Sequence, residues 1–400
     1  MAPEQLDLLS SSDGQQLLGE LAARSIGADD ELRLIMQLRA RFAPELVAAA
    51  VAQAKLRQRA RAKFSRADRM YFTPAGLEQA STERMARYHA ARFAAFGRIA
   101  DLCCGVGGDL LALAGVKPVR AVDVDPVHLR MAVLNAGAYH VAQRVEPVLA
   151  DVQSLVLDDD PGLALFIDPA RRVDGRRLRG GETSPPLDWC FARGEMRPVL
   201  IKAGPALPLD VVPPAWGIEF VSEGRELKES LLSSPAMARP GRRATVLSAA
   251  PTEADPSGWA SVSLEAMPGE AVAVASPGRF LLDPDPAVTR AGLVEDLARG
   301  LAGGSVWKLD PEIAFLSSDA PMVTPFGRCL RVESSEPWNL KRLQATLRSL
   351  DVGSVDIRKR GSAVDVESVQ RRLRLTGARA ATVVLTRVMG EPWALVCVDA

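Results

Sequence analysis

The fold of this 400-residue chain is decided by the segment Asp101-Leu-Cys-Cys-Gly105-Val-Gly107-Gly108-Asp109. The segment follows a short apolar run and opens a stretch of helix length. Closely spaced glycines at such a turn let the backbone approach a ligand, and the amides at the helix N-terminus can hold a negative group. Because the order Gly-x-Gly-Gly lacks the full Gly-x-Gly-x-x-Gly pattern of pyrophosphate sites, the turn predicts a ligand site without naming the ligand.

Outward from this turn, short β-branched runs alternate with helix-length segments. Seven runs are predicted strands: 98–103, 119–124, 145–149, 163–167, 198–202, 217–221 and 244–248. Helix-length segments between the first five are typical of a parallel sheet with right-handed crossovers. The last two runs lack an intervening helix and could form an antiparallel pair. The expected fold is therefore α/β, with a seven-stranded Rossmann-like sheet in a domain spanning residues 71–250.

Acidic residues stand at the ends of four consecutive predicted strands: Asp101, Asp123, Asp151 and Asp168. The carboxyl ends of such strands border the crevice where open α/β sheets bind ligands. There Asp123 can accept hydrogen bonds from both hydroxyls of a ribose, and Asp151 is placed to meet an adenine amino group. Each acid alone is as compatible with a loop or a helix cap, as we expect for Asp125 before Pro126. The ordered set favours a nucleoside site.

Two further regions flank the predicted sheet. Residues 1–70 predict a helical region whose last helix ends in seven basic residues between 55 and 69, which form either a solvated helix end or an RNA-phosphate contact. Residues 251–325 are treated as a connecting region with one or two strands and a helix at 287–301. Residues 326–400 predict a compact β-α-β-α-β-β domain. Its arginines and lysine at 358–360, 371–372 and 374 predict a basic face.

Charge and composition exclude several classes of protein. The 49 basic and 49 acidic residues cancel, which excludes a globally cationic binder, but residues 1–100, 101–325 and 326–400 carry net charges of +4, −9 and +5. Five cysteines without a Cys-x-x-Cys pair and three histidines argue against a disulfide framework or a metal site. The N-terminus lacks the order of a signal peptide, and no apolar run reaches the roughly 18 residues of a membrane span. We therefore expect a cytoplasmic protein with no membrane partner.

These residues resemble motifs I to IV of class I S-adenosylmethionine-dependent methyltransferases. Asp101, Gly105 and Gly107 match motif I, Asp123 motif II, Asp151 motif III and Asp168-Pro169 motif IV. The string Cys104-Gly-Val-Gly-Gly108 is similar to motif I of trimethylguanosine synthases, and Phe72-Thr73-Pro74 resembles their segment that folds over the cofactor. Nearly the whole chain is similar to bacterial class I methyltransferases with a C-terminal THUMP-like domain.

The resemblance implies S-adenosyl-L-methionine as the cofactor and methylation of a base nitrogen in RNA, either tRNA or rRNA. The cofactor-binding residues that it implies are Phe72, Thr73, Asp101, Cys104, Gly105, Gly107, Asp109, Asp123, Val124, Asp151, Val152 and Asp168. A module like THUMP would use its basic face on the RNA backbone. Two alternatives remain: a small-molecule methyltransferase whose terminal domain dimerises, or a non-catalytic RNA-binding protein that retains a nucleoside site.

Motif IV departs from the family pattern. Enzymes that methylate exocyclic base amines commonly show Asp/Asn-Pro-Pro followed by an aromatic, whereas this chain has Asp168-Pro-Ala-Arg171. Asp168 is expected to orient or deprotonate the acceptor, or only to shape the cofactor pocket. Arg171 is the second expected catalytic residue, because its guanidinium can stack on a base or hold a phosphate. Glu226, Lys228 and Glu229 could border an acceptor pocket or form a salt-bridged turn.

Overall fold

The computed structural model describes residues 1–24, 26–157, 160, 162–170, 172–173, 176–177, 182–250, 258–301 and 305–400. The chain divides into two compact units. The first comprises Met1–Trp216, Leu231–Pro240 and Ala249–Trp259, and the second comprises Gly217–Ser230, Gly241–Ser248 and Ala260–Ala400. Among the described residues, no helix combines the length and the apolar composition that crossing a bilayer requires.

The first unit begins with the helical region that the sequence predicts. Its helices are α1 (Pro3–Ser10), α2 (Ser12–Ala22), α3 (Ala28–Arg39) and α4 (Pro44–Ala60), followed by the shorter α5 (Pro74–Gln79) and α6 (Glu83–Ala91). Pro44 occupies the first turn of α4, and the Ser11 side chain caps α2. Leu6, Leu17 and Val47 of these helices belong to the same apolar cluster as Val106 and Met131. The helical region and the glycine turn therefore share a core.

The central sheet forms where the sequence predicts it. Its first strands and their helices are β1 (Arg98–Leu102), α7 (Leu110–Val116), β2 (Val119–Asp123), α8 (Pro126–Ala138), β3 (Val145–Leu149) and β4 (Leu163–Ile167). The two-residue strands β5 (Arg172–Val173) and β6 (Arg176–Arg177) form a separate ladder, and α9 (Leu187–Gly194) precedes β7 (Val199–Ala203). Neighbours among β3, β2, β1, β4 and β7 pair in parallel.

Among the described residues the sheet has nine strands, and the expectation of seven is wrong. The remaining strands are β8 (Gly217–Glu223), β9 (Glu226–Ser233), β10 (Gly241–Ala249) and β11 (Trp259–Glu265), and the order is β11-β10-β8-β9-β7-β4-β1-β2-β3. The expected antiparallel pairing of the sixth and seventh runs is also wrong, because β8 and β10 pair in parallel. After β8 the chain turns at Gly224 and Arg225, both with positive φ, and then enters β9. Strand β9 contains Glu226, Lys228 and Glu229, for which either the border of an acceptor pocket or a salt-bridged turn was expected.

The second unit contains a seven-stranded sheet. Its elements are β12 (Phe280–Pro284), α10 (Pro286–Ala291), α11 (Val294–Gly300), β13 (Trp307–Lys308), β14 (Leu316–Ser318), β15 (Gly327–Pro337), α12 (Leu340–Ser349), β16 (Val352–Lys359), α13 (Val366–Arg372), β17 (Arg379–Val388) and β18 (Glu391–Asp399). The strand order is β13-β14-β12-β15-β18-β17-β16. The expected β-α-β-α-β-β pattern forms from β15 onward. The helix expected at 287–301 is two helices, because α10 ends at Gly292 in the left-handed region.

The second sheet buries apolar residues on both faces. One cluster contains Leu281, Val384 and Leu395, and the other contains Leu343 of α12, Val369 of α13 and their neighbours on β16 and β17. Helices α12 and α13 therefore cover one face only. The strands β12 to β14 come from the region that the sequence suggested was a connection, so that region contributes three strands to this sheet.

Candidate active site

The parallel sheet places a ligand crevice beside the end of β1. Leu102 is paired with Val122 of β2 on one side and with Ile167 of β4 on the other, so the strand order reverses at β1. In open α/β sheets ligands bind outside the carboxyl ends of the strands at this point. Asp101 lies on β1, and Asp168 directly follows β4.

The turn after β1 has an unusual backbone. Cys103, Gly105 and Gly107 have φ angles of 70°, 55° and 91°. A Cβ added to Gly105 would meet nothing within 4 Å, whereas one added to Gly107 would lie 3.1 Å from Cα of Ala132 in α8. Gly107 is therefore required for packing against the next helix, and Gly105 leaves open space on the crevice side of the turn.

Asp123 at the end of β2 holds the glycine turn in place. Its carboxylate accepts hydrogen bonds from the amides of Gly105, at 2.7 Å, and Asp125, at 2.9 Å. Asp125 in turn caps α8 by accepting from the amide of Val127 at 2.8 Å, which confirms the expected helix cap. An ionised carboxylate has about four acceptor positions, so Asp123 retains capacity for hydroxyl donors of a ligand.

Asp101 is an unpartnered buried acid. Asp101 is 1% exposed, and neither oxygen of its carboxylate has a hydrogen-bond donor among the described residues. Burial, followed by the nearby charges of Asp109 and Asp168, raises the pKa of Asp101 well above its ordinary value. A buried acceptor without a donor is costly, and a ligand that brings a cationic donor removes that cost.

Lys202 at the end of β7 connects two of the acids. Its Nζ lies 2.6 Å from Oδ2 of Asp168 and 3.6 Å from Oδ2 of Asp109, and its side chain is 11% exposed. The side chain of Asp168 is 34% exposed, so this carboxylate reaches the crevice surface, whereas the Lys202 side chain is largely buried. The lysine neutralises charge that two neighbouring carboxylates would otherwise place together.

His89 and Ser81 complete the network from the other side. Asp109 Oδ1 lies 2.7 Å from Nδ1 of His89, and Oδ2 accepts a hydrogen bond of 2.8 Å from Ser81. The His89 ring is fully buried and stacks on Phe166 of β4. Burial alone would raise the pKa of Asp109, but Lys202 and then His89 outweigh burial and hold that pKa well below its ordinary value. Asp109 is therefore an ionised anchor for the Lys202 ammonium and the His89 ring.

Sequence reasoning missed Lys202 and His89 as site residues. One signal for Lys202 was present, since it is the only charged residue in the predicted strand 198–202 and stands at its carboxyl end. His89 gave no such signal, because a histidine in a helix is compatible with any environment. Its role follows only from the contact with an acid 20 positions away.

The other expected cofactor residues are distributed as follows. Val124 is 71% exposed at the end of β2, and Val152 beyond β3 is buried. Asp151 is exposed and accepts a hydrogen bond from the amide of Gln153. Thr73 caps α5, and its hydroxyl lies 3.1 Å from Nε2 of His128. The ring of Phe72 is fully buried and stacks on another phenylalanine in the core, Phe64.

The remaining expected residues have mixed outcomes. Arg171 lies outside the described residues. Cys104 is 8% exposed, and burial raises the pKa of its thiol well above the ordinary value, in agreement with a packing role. Glu226 and Lys228 do form an ion pair, but they lie in β9 and not in a turn. Among the residues that the structure describes, no group of His, Cys, Asp or Glu could hold a metal ion.

Several cations of the basic segment between 55 and 69 serve the fold. Arg57 is buried and donates to the carbonyl of Met70 at 2.7 Å. Lys63 donates to the carbonyls of Leu77, Glu78 and Ala80 at 2.7–3.0 Å and so fastens the segment that leads to Ser81. Lys55 and Arg61 form ion pairs with acids of the same unit. These contacts favour a structural role for much of the segment over an RNA contact.

A second concave region lies in the other unit. A cleft of about 690 Å³ is lined by residues that include Arg242, Met267, Glu295, Arg299 and Lys308. Its central charges pair with one another, since both Arg299 and Lys308 contact Glu295. Arg299 and Lys308 are therefore engaged in ion pairs within the cleft.

A doubly wound sheet with a glycine turn and strand-end carboxylates at its switch point defines the class: a Rossmann-like α/β protein with a nucleoside-type crevice. Comparisons with known proteins specify it further. Residues 96–170 match the family described as RNA cap guanine-N2 methyltransferase, residues 327–398 match the THUMP domain-like family, and residues 2–60 match a domain family of unknown function.

Relatives cover almost the full chain. Uncharacterized S-adenosylmethionine-dependent methyltransferases of two Mycobacterium tuberculosis strains, CDC 1551 / Oshkosh and ATCC 25618 / H37Rv, are each 34% identical over 369 residues, which are 88% of this chain and 95% of the relative. The chain belongs to this family of S-adenosylmethionine-dependent methyltransferases, and S-adenosylmethionine is its cofactor. A crystal structure from Porphyromonas gingivalis W83, provisionally assigned as a methyltransferase, shares the fold with a TM-score of 0.71 at 17% identity over 99% of this chain and 98% of that one.

Proposed function

We propose that this methyltransferase methylates a base nitrogen in RNA, either tRNA or rRNA. The proposal is supported by the two matched families, whose descriptions name an RNA cap guanine methyltransferase and a THUMP-like domain. It is also supported by the net charge of +5 over residues 326–400, since basic surfaces favour contact with phosphates. The single observation that carries the proposed chemistry is the Asp168 carboxylate, held by Lys202 at the carboxyl end of the parallel sheet.

The residues of the crevice fit the cofactor. Asp101 offers a buried carboxylate that has no hydrogen-bond donor among the described residues, which suits an ammonium group. Asp123 retains acceptor capacity for ribose hydroxyls, and the open side of Gly105 allows close approach of a ligand. When bound, the cofactor supplies a methyl group already activated by a sulfonium. Alignment by the protein's own side chains therefore supplies much of the acceleration.

Asp168 is the proposed catalytic residue. Its carboxylate accepts a hydrogen bond from the acceptor amine and fixes the orientation of that amine in the crevice. The Lys202 ammonium favours the ionised form of the acid, which is the form that accepts. Asp109 acts one contact further away, since it positions Lys202.

One feature favours a second candidate function. The motif Asp168-Pro169-Ala170 carries no aromatic in line to stack on a base, and Ala170 instead forms a β-bridge with Ser184. A small-molecule acceptor does not need a stacking platform. Methylation of a small molecule is therefore the alternative that an experiment has to separate from RNA methylation.

The test combines a substrate survey with one substitution. The protein is incubated with total RNA and methyl-labelled cofactor, and the digested nucleosides are analysed by mass spectrometry. We expect label in one modified base, and we expect Asp168→Ala to lower its formation by roughly 10²- to 10⁴-fold while calorimetry shows unchanged cofactor affinity. Asp188→Ala, in the first turn of α9 and exposed, is the matched control and should retain activity.

Two outcomes would contradict parts of the proposal. Full activity of Asp168→Ala with intact cofactor binding would remove the catalytic role of that carboxylate. Label that enters a small-molecule fraction of a cell extract, with none in RNA, would establish the second candidate.

A further inference from the structure

Three arginines from distant segments converge on one carboxylate in the second unit. Arg225 lies in the turn between β8 and β9, Arg358 lies near the end of β16, and Arg360 follows that strand. Their guanidinium groups approach Asp283 of β12 at 3.2, 3.3 and 3.3 Å. The side chain of Asp283 is 7% exposed, whereas those of the arginines are 36%, 37% and 29% exposed. The cluster is therefore buried at its acid and open at its cations.

The cations of this cluster outnumber its acids. Asp356, which contacts Nε of Arg358 at 3.1 Å, is the second carboxylate, and it is 58% exposed. Among the described residues Arg225 and Arg360 have Asp283 as their one ion-pair partner. None of the three contacts with Asp283 is shorter than 3.2 Å, while charge-assisted hydrogen bonds usually measure about 2.7–2.9 Å. One carboxylate shared by three guanidinium groups leaves positive charge uncompensated.

The arginines are held in defined positions. Arg225 has a φ of 62°, which is uncommon for a residue other than glycine, so the tight turn fixes where its side chain begins. The guanidinium of Arg360 lies 4.9 Å from the ring centroid of Phe315 and donates to the carbonyl of Ala314 at 3.3 Å. Ordered donors lose less conformational entropy when they bind a ligand. Burial, with repulsion from the other two arginines, lowers the pKa of Arg360.

We propose that Arg225, Arg358 and Arg360 bind a phosphate group of the RNA backbone, with Asp283 keeping the three guanidinium groups in place. Phosphate matches the site because guanidinium forks bind its oxygens in a bidentate manner, and because a phosphodiester supplies the negative charge that the cluster lacks. The inference rests on the proposed RNA function and adds a named contact for that substrate.

This site contains only part of the basic face that the sequence predicted, namely Arg358 and Arg360. Arg358 is in register with Val384, whose side chain belongs to the apolar cluster that contains Leu281. Arg358 and Arg360 therefore lie on that face of the sheet, where they reach Asp283, while the arginines of α13 lie with the helices on the other face. A sequence run of basic residues is thus divided between two surfaces.

The test measures the affinity for total tRNA as a function of salt. The affinity falls as salt is added, and each phosphate contact that is lost reduces the magnitude of the slope of log affinity against log salt by about 0.7–0.9. For Arg225→Gln/Arg358→Gln, which removes one or two such contacts, we expect the slope to fall by about 0.7–1.8. The advantage of the wild type over this variant should then shrink roughly 3- to 12-fold between 50 and 200 mM salt.

The matched control is Arg328→Gln/Arg331→Gln, which removes the same charge from β15. Each of these arginines has its own exposed or half-buried acid, Asp399 and Glu333. The control variant should lose less affinity for tRNA than Arg225→Gln/Arg358→Gln. The salt dependence of its affinity should stay closer to that of the wild type. Thermal melting and calorimetry with S-adenosylmethionine report whether each variant is folded. If Arg225→Gln/Arg358→Gln has a lowered melting temperature, Arg225→Gln alone replaces it, and half of the change in salt slope is then expected.

The outcomes separate the site from the proposed function. If the wild type binds tRNA and the arginine variant keeps the wild-type slope, or loses no more than the control, the phosphate site is wrong and the RNA function stands. If the wild type itself shows no salt-dependent binding to RNA, the RNA function is wrong and the site is wrong with it.

Discussion

Replacing Lys202 by methionine removes the ammonium group that lies between Asp168 and Asp109, at 2.6 and 3.6 Å. The substitution keeps most of the aliphatic length of the side chain and therefore leaves little cavity. It leaves two carboxylates without their shared cation, next to the buried acid Asp101. The expected result is a loss of stability and a misplaced Asp168 carboxylate.

The expected loss of stability depends on how exposed the side chains of Asp168 and Asp109 are. Removing one member of a buried ion pair costs roughly 3–5 kcal/mol, because the other charge stays buried and unpaired. The side chain of Asp168 is 34% exposed, so solvent screens part of its charge, while that of Asp109 is 8% exposed. We therefore expect the lower end, about 3 kcal/mol of unfolding free energy at neutral pH.

The loss should depend on pH in a defined direction. In the wild type the depressed pKa of Asp109 stabilises the fold above the unfolded-state pKa of about 3.9, and that contribution is lost only as pH falls through the still lower folded-state pKa. Without Lys202 the pKa of Asp109 rises, and the acids can take up a proton in the folded state. Proton uptake below the raised pKa values recovers stability, so the deficit should be smaller at pH 5 than at pH 7.5.

Urea denaturation of the wild type and Lys202→Met at both pH values measures this difference. Lys308→Met is the matched control, because Lys308 is 12% exposed and contacts one acid, Glu295, which keeps Arg299 as a second cation. Its deficit should change little with pH. An equal deficit for Lys202→Met at pH 5 and pH 7.5 would show that the lysine only fills space, and would refute the electrostatic account of the network.

Two other predictions concern the cofactor crevice. Gly107→Ala should cost roughly 1–3 kcal/mol of stability in thermal unfolding, because its φ is 91° and the added Cβ would lie 3.1 Å from Ala132. Gly105→Ala should cost less stability but should weaken cofactor binding in calorimetry. A larger loss of stability for Gly105→Ala than for Gly107→Ala would contradict the assignment of open space to Gly105. Asp101→Asn should make the unliganded protein more stable at neutral pH, because a carboxyl group with a raised pKa destabilises the fold at pH values above its unfolded-state pKa. This gain in stability should vanish toward acid pH. The same substitution should weaken cofactor binding. Denaturation of Asp101→Asn that shows no gain at neutral pH would indicate that the carboxyl is already satisfied.

The features that depend on short stretches of chain could be predicted from the sequence. The glycine turn, the first four strands and the carboxylates of Asp101 and Asp123 follow from local pattern, because strand ends in a parallel sheet meet at one edge whatever the rest of the chain does. The strand β9 was missed because its start, Glu226-Leu-Lys-Glu229, carries three charges and has the composition of a turn. Its remaining residues are buried, and that burial depends on the neighbouring strands and not on local propensity.

The cations of the site could not be predicted for a related reason. A lysine or an arginine has the same sequence signature whether it is solvated or buried against an acid. Lys202 meets Asp168 across 34 positions, and Arg358 meets Asp283 across 75. These distances along the chain are set by the topology of the sheets, so the partner of each cation was visible only in three dimensions.

The apolar cluster shared by the N-terminal helices and the glycine turn has a consequence for the order of synthesis. Leu6 and Leu17 belong to one core with Met131 and Ala136, which leave the ribosome more than a hundred residues later. The first helices can pack on one another as they emerge, but part of their apolar surface stays exposed until the strand and helix around the cofactor crevice have followed. Exposed apolar surface on a nascent chain is a site for aggregation and for chaperones. Helices α1 and α2 thus complete their packing only after these later segments have been synthesised.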